Sequence, residues 1–257
     1  MSSGHPLGEE LAELFSGPLE HAAGKLLPPG AGRGRGCRPA AALHRPSTLR
    51  EVLDRFARGF EGDPRAVASL WSQWYLGTLI VPAVTAGFRL DRVLPLGAGA
   101  LEVCLDEDRR PVAFRLPHGG EVDAEADPFR RFRPLLRDHL EPFVEVLAEQ
   151  AGLSTALLWC NAARYLQWTL DRLESLDGAT SPEPSPGRRL LEAESLPDGR
   201  PNPLRGRMVR AGDPGRAAVR RKVCCLRFLV DDVDDCGPLC PLPEVREGPG
   251  RGGRSGG

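Results

Sequence analysis

The sequence predicts an α+β protein: a predominantly helical core, a small antiparallel β-hairpin or sheet, and an irregular C-terminal arm bearing cysteines. Three observations carry that prediction. Apolar residues recur at helical period over several long stretches, two alternating runs flank a polar turn, and four of the seven cysteines fall within residues 224–240. With 257 residues, 41% hydrophobic and 27% charged, the chain can bury one large core with an appendage, which excludes wholesale disorder. A formal net charge of −1 singles out no polyionic partner. Only Lys25 and Lys222 are lysines among 34 basic residues, a bias that a GC-rich genome explains. The 30 glycines and 25 prolines exceed the usual share, so they mark linkers.

Residues 1–46 read as a flexible N-terminal extension, because the amphipathic stretch Leu7–Phe15 gives way to a Gly/Arg run over 27–36. Pro46, with Thr48 and Glu51 at capping-box spacing, opens a helix whose stripe is Leu49, Val52, Leu53 and Phe56. Asp63-Pro64 opens the next one. Ala66 to Phe88 holds no charge and is long enough for a bilayer. Its Ser69, Ser72, Gln73, Thr78 and Thr85 favour a buried core helix, which Pro82 is expected to end or kink near Val81. Trp71, Trp74 and Tyr75 share one face, for which core packing is favoured over lining a pocket with Trp168.

Ala100–Leu105 and Val112–Leu116 form the expected hairpin, with Arg89–Leu96 as a further strand and Cys104 packed as a small thiol. Asp127-Pro128 starts a helix with the stripe Phe129, Phe132, Leu135, Leu136, Leu140, Phe143, Val144 and Leu147, leaving His139 on its polar face. Gly152 ends it, and Ser154 or Thr155 starts the helix Ala156–Leu176. The helical core is thus 47–176. A Pro/Ser linker follows at 177–187, a cysteine-bearing region at 188–241 and a low-complexity, disordered tail at 242–257.

An odd cysteine count, and an N-terminus without a basic-then-apolar leader, argue for a reducing, cytoplasmic setting where clustered thiols do metal or redox work. Cys224, Cys225, Cys236 and Cys240 read C-C-x10-C-x3-C. Four thiolates hold structural zinc and iron–sulfur clusters alike. Zinc knuckles favour two to four residues between ligands, and adjacent cysteines in extended chain point to opposite sides. A [2Fe–2S] unit is a wider target that such a pair reaches from two directions. Leu226–Val230 reads as an extended arm turning at Asp231–Asp235, and Gly237 is expected to bring backbone N–H groups close to sulfur. Between Gly199 and Lys222 eight basic residues stand against Asp213 alone, able to offset an anionic cluster, to dock an anionic chelate, or simply to face solvent.

The C-terminal cysteine pattern resembles that of the FhuF-type ferric-siderophore reductases. So do Ser69-Leu-Trp-Ser-Gln-Trp-Tyr-Leu-Gly77 followed by Pro82, and Leu158-Trp-Cys-Asn-Ala-Ala-Arg-Tyr165. The resemblance covers residues 48–241. It implies a [2Fe–2S] cluster on Cys224, Cys225, Cys236 and Cys240, and one-electron reduction of Fe(III) held in a hydroxamate-type ferric siderophore. The family pattern has two residues before its last cysteine, whereas this chain has Gly237, Pro238 and Leu239. Cys37, Cys104 and Cys160 lie outside the motif.

No Gly-x-Gly-x-x-Gly follows a strand, so electrons are expected from an external donor. Fe(II) binds hard oxygen ligands less tightly than Fe(III), so reduction frees the metal. No nucleic-acid partner is expected, and any membrane contact is peripheral, at the inner face. Two rival readings remain: a binding module stabilised by a structural four-cysteine zinc site, and an iron–sulfur redox sensor, whose arginine-rich stretch lacks a recognition helix.

Overall fold

A computed structural model describes residues 6–32, 36–178, 185–211 and 218–242, so residues 179–184 of the expected linker and the tail from 243 lie outside the described residues. The central element is helix α3 (Pro64–Arg89), which follows α1 (Pro6–Leu14), strands β1 (Leu26–Leu27) and β2 (Cys37–Pro39), and α2 (Pro46–Ala57). The Asp63 carboxylate caps α3 by accepting the Arg65 N–H at 2.8 Å, with Pro64 in the first turn. Contrary to expectation, α3 runs unbroken through Pro82. Every residue from Ala66 to Gly87 except Trp74 and Gly77 is buried, and that enclosure outweighs the one backbone bond proline cannot make. No helix among the described residues is long and apolar enough to cross a membrane.

After β3 (Arg92–Val93) come β4 (Glu102–Leu105), β5 (Pro111–Arg115) and β6 (Glu121–Val122). The expected hairpin is β4–β5, with a register shift between Cys104 and Leu105. It forms the middle of a four-stranded sheet ordered β1-β5-β4-β2, in which β1 lies parallel to β5 and the other pairs are antiparallel. The N-terminal residues therefore do not behave as a flexible extension. Leu7, Leu11, Phe15, Leu19, Leu26 and Leu43 are all in the core, because α1 presents an apolar stripe and residues 26–39 supply both outer strands. Helix α2 begins at Pro46 with no side-chain cap, so the Thr48/Glu51 spacing does not act as a capping box. Cys104 is not a lone packing thiol either. It stands directly opposite Cys37 in the β2–β4 register, and the two form a disulfide. Two cysteines facing each other across adjacent strands are brought within bonding reach by pairing alone.

Helix α4 (Pro128–Leu135), capped by the Asp127 carboxylate, passes through one wide turn at Leu136–Leu140 into α5 (Glu141–Ala151). Gly152 ends α5 in the left-handed conformation, and Ser154 caps α6 (Thr155–Leu176). Helices α3 and α6 pack along each other closely at Gly77, where a Cβ would lie 2.8 Å from the Tyr165 ring. The chain closes with α7 (Arg189–Glu192) and the hairpin β7 (Met208–Ala211) to β8 (Ala218–Arg221).

His139 is not on a polar face. It is fully buried; its Nε2 accepts from the Tyr75 hydroxyl at 2.7 Å and its Nδ1 donates to the Leu96 carbonyl at 2.9 Å. The wide turn inside the α4–α5 run rotates it inward. Burial takes its pKa down to about 3 from 6.5. The unfolded chain takes up this proton near pH 6.5 while the folded chain resists it. The associated stability is therefore complete above pH 6.5 and falls by up to about 1.4 kcal/mol per pH unit below it. In urea unfolding between pH 7 and 5, His139→Gln is expected to show a shallower pH slope by that amount. An unchanged slope would refute this.

Candidate metal centre

The cysteine arm leaves β8 at Arg221 and is pinned to the start of α3. Val230 bridges Gly62, the Asp63 N–H donates to the Leu229 carbonyl at 3.0 Å, and the Asp231 N–H donates to the Glu61 carbonyl at 2.9 Å. Gly62 has φ +131°, and a Cβ there would overlap the Leu229 carbonyl and sit 2.9 Å from the Val230 Cα. Gly62→Ala is therefore expected to destabilise the fold by about 2 kcal/mol or more, read from the urea midpoint. A shift within about 0.5 kcal/mol would show that this bridge does not hold the arm.

The arm is not extended over Leu226–Val230. Leu226 takes a left-handed φ of +62°, and Arg227–Leu229 forms a 3-10 turn. That kink directs the Leu226 N–H to the Cys224 Sγ at 3.3 Å. A second 3-10 turn, Gly237–Leu239, separates Cys236 from Cys240, with the Cys240 N–H on the Gly237 carbonyl at 2.9 Å. It takes up the third residue between the two cysteines and packs against β8. Gly237 has φ +54°, and its N–H donates to the Asp235 carboxylate at 2.6 Å. The amides directed at sulfur in this arm are thus those of Leu226, toward Cys224, and Arg227, toward Cys225.

Cys225 and Cys240 are buried and Cys224 and Cys236 are half-buried, all four as free thiols. The Cys225 and Cys236 side chains share a hydrogen bond, which draws Cys225 down to about 6 and pushes Cys236 up. Burial pushes Cys224 up, and Cys224 and Cys236 both interact electrostatically with Cys225 and Cys240. All four predicted residues are therefore brought into one neighbourhood. Among the described residues no three His, Cys, Asp or Glu side chains stand close enough to hold a metal ion as they are placed.

Arg221 supplies a test of what this neighbourhood suits. Its side chain is 1% exposed, yet no carboxylate pairs with it among the described residues. Nη2 donates to Asn161 Oδ1, Nε donates to the Val223 carbonyl at 3.2 Å, and Nη1 is buried without a hydrogen-bond partner. A buried guanidinium lacking a counter-charge is costly by several kcal/mol. The nearest source of negative charge is the cysteines: Arg221 lowers the pKa of Cys224, Cys225 and Cys236 alike. An anionic tetrathiolate group fits that unfilled requirement and that donor set.

A buried polar chain ties this centre to the core. Asn161 on α6 donates to Ser72 Oγ at 2.8 Å, Ser72 donates to the Ser69 carbonyl at 2.7 Å, and Ser69 Oγ donates to the Cys225 carbonyl at 2.8 Å. Nothing in the sequence around Ser69, Ser72 and Asn161 assigns these residues to the anchoring of the arm. The signal is a general one: polar side chains on helices expected to be buried must find partners. Of the basic stretch, Arg221 turns inward, whereas Arg200 pairs with Asp198 and Glu141, and Arg205 with Glu194. Arg216 and Asp213 lie outside the described residues. Cys160 is buried apart from the four, its Sγ donating to the Arg207 carbonyl at 3.1 Å. The aromatic group divides. Trp71 and Tyr75 are core, with Tyr75 stacked on Phe143, while Trp74 and Trp168 line a cavity of about 600 Å³.

Residues 69–215 match the family described as "Ferric iron reductase FhuF-like transporter", a match that opens at Ser69 and stops short of Cys224. The ferric siderophore reductase of Escherichia coli K12 is 27% identical over 175 residues, which are 67% of this chain and 64% of that protein. The match therefore spans less than two thirds of the relative's length. Two structures of aerobactin synthetase IucA from Klebsiella pneumoniae, one ATP-bound, align with TM-scores of 0.54 and 0.55 at 16% and 15% identity. Each covers 68% of this chain and 38% of the synthetase, a likeness of fold alone.

Proposed function

This chain belongs to the FhuF-like ferric iron reductase family, and from that premise we propose that it is a siderophore-iron reductase, an oxidoreductase releasing Fe(II) from a ferric chelate in the cytoplasm. The reading places a [2Fe–2S] cluster on Cys224, Cys225, Cys236 and Cys240. The observation that carries it is Arg221, a buried cation with an unpartnered Nη1 beside four thiols. When bound, such a cluster supplies one-electron transfer at a potential set by its surroundings.

The chain's own residues do the rest. Arg221 offsets the negative charge of the thiolates, and the Leu226 N–H donates to the Cys224 sulfur, two interactions that favour the deprotonated, ligating form. Ser69 and Asn161 hold the arm against α3 and α6, fixing the distance between the cysteines and whatever docks on those helices. The substrate is Fe(III) in a siderophore, which takes one electron from an external donor and is released as Fe(II). Contact with a membrane, where it occurs, is peripheral.

The test is anaerobic purification followed by iron, zinc and acid-labile sulfide analysis, with a visible spectrum before and after dithionite. About two irons and two sulfides per chain are expected, with absorbance that bleaches on reduction and Fe(II) captured when ferric siderophore is added. Colourless protein holding one zinc per chain refutes the reading in favour of a structural zinc site on the four thiolates.

A further inference from the structure

One helical turn from the polar chain that anchors the cysteines, α3 and α6 open into the cavity of about 600 Å³. Its volume lies in the usual range for small-molecule sites. Gln73, a turn after Ser69, and Tyr165, a turn after Asn161, both line it, so cavity and cysteine arm share one seam with an offset of about 6 Å along the helices. The charges of Arg221 and Arg227, which flank Cys224 and Cys225, reach the Tyr165 hydroxyl.

The walls combine aromatic faces with cations that have little to neutralise them. Trp74, Tyr165 and Trp168 supply the faces, and Lys25, Arg110 and Arg164 supply the charge. Arg110 lies 5.0 Å over the Trp74 ring and Arg164 lies 4.8 Å over Tyr165. Neither Lys25 nor Arg164 has a carboxylate partner among the described residues, and Arg110 has Asp108 at only 3.9 Å. The Arg110 Nε is buried without a hydrogen-bond partner. Asp106, the acid on the wall, accepts the Arg110 backbone N–H at 2.7 Å and keeps its charge, so three cations face one carboxylate across the lining. Burial also lowers the Lys25 pKa, the mark of an ammonium short of counter-charge. Such a wall attracts an anion with flat, polarisable faces and gives nothing extra to a neutral molecule.

We propose that this cavity is the chelate-binding site and that Lys25, Arg110 and Arg164 make it selective for ferric chelates of net negative charge, seated on Trp74, Tyr165 and Trp168. This rests on the reductase reading for the identity of the ligand, but its geometry is independent of the cysteines. The expectation of a hydroxamate-type substrate thereby narrows to chelates carrying additional anionic groups.

The probes are redox-inert gallium(III) chelates, a trianionic tris-catecholate and a neutral tris-hydroxamate, titrated against the full-length protein and followed by quenching of tryptophan fluorescence. The trianion is expected to bind at least about tenfold more tightly, with an affinity that weakens steeply with salt. Lys25→Gln with Arg164→Gln is expected to weaken the trianion at least about tenfold and the neutral chelate less than about twofold. An unchanged urea midpoint shows that the variant retains its fold. Equal affinity for the two probes, or an unaffected double variant, overturns the proposal. Ferric reduction assayed in parallel separates the two ideas. A wild-type protein that binds as described but reduces no ferric chelate refutes the reductase reading and leaves the pocket standing. One that reduces chelates with the same KM in the double variant refutes the pocket alone.

Discussion

Serine at Cys224, Cys225, Cys236 or Cys240 is expected to abolish the visible absorbance and to bring ferric-chelate reduction down to the rate without protein. Losing an outer partner of a metal site already costs roughly 10–100-fold, and losing a thiolate ligand costs more. Cys160→Ser is the matched control. Cys160 is free like the others and buried like Cys225 and Cys240, but it donates to the Arg207 carbonyl, a bond that a serine hydroxyl preserves. Its variant should keep both colour and turnover. Cys240→Ser carries the most information, because three residues separate Cys240 from Cys236 where the family pattern has two. The 3-10 turn over Gly237–Leu239 takes up the extra residue and leaves Cys240 buried and within electrostatic reach of Cys224 and Cys236. Full colour and activity in Cys240→Ser would remove Cys240 from the ligand set. Full activity in all four variants would remove the centre from the reaction.

What the sequence made legible was whatever has a local cause. The caps at Asp63, Asp127 and Ser154, the glycine stop at Gly152 and the β4–β5 hairpin follow from neighbouring residues, and each is found where local pattern places it. Its failures were non-local. Pro82 breaks an isolated helix, but α3 is enclosed on all sides, and burial decides the outcome. The Gly/Arg run over 27–36 hid two flanking edge strands, because β1 and β2 have no pattern of their own and exist only by pairing with β5 and β4. The same pairing joins Cys37 to Cys104 across a separation of 67 residues, which spacing alone could not reveal. The four cysteines were plain in the sequence because they cluster. Arg221 was not, since nothing local marks it, among the described basic residues of 199–222, as one that turns inward. It meets Asn161, sixty residues away, and the thiols of the arm, none of which local pattern reveals.

Removing Arg221 should accordingly have opposite consequences in the two states of the protein. Without a bound cluster, the charge opposite Arg221 is at most the Cys225 thiolate, which can take up a proton once the cation is gone, so Arg221→Met is expected to be neutral or stabilising by about 1–4 kcal/mol. The carbonyl of Asn161 loses its donor, which returns about 1–3 kcal/mol of that gain. With the cluster in place, the same substitution strips the positive charge from beside an anionic group, and breaking such a buried pair costs about 3–5 kcal/mol. The holo form is therefore expected to lose roughly 3 kcal/mol more than the apo form in urea unfolding. The reduction potential of the holo variant should also become more negative, because adding an electron to the site is no longer offset by the guanidinium. Arg221→Lys separates charge from shape. It restores the cation and most of the potential, but an ammonium cannot reproduce the fork that reaches both Asn161 and the Val223 carbonyl. Equal destabilisation of the apo and holo forms, with an unchanged potential, would mean that Arg221 serves only to tie β8 to α6. The charge argument for the centre would then fail with it.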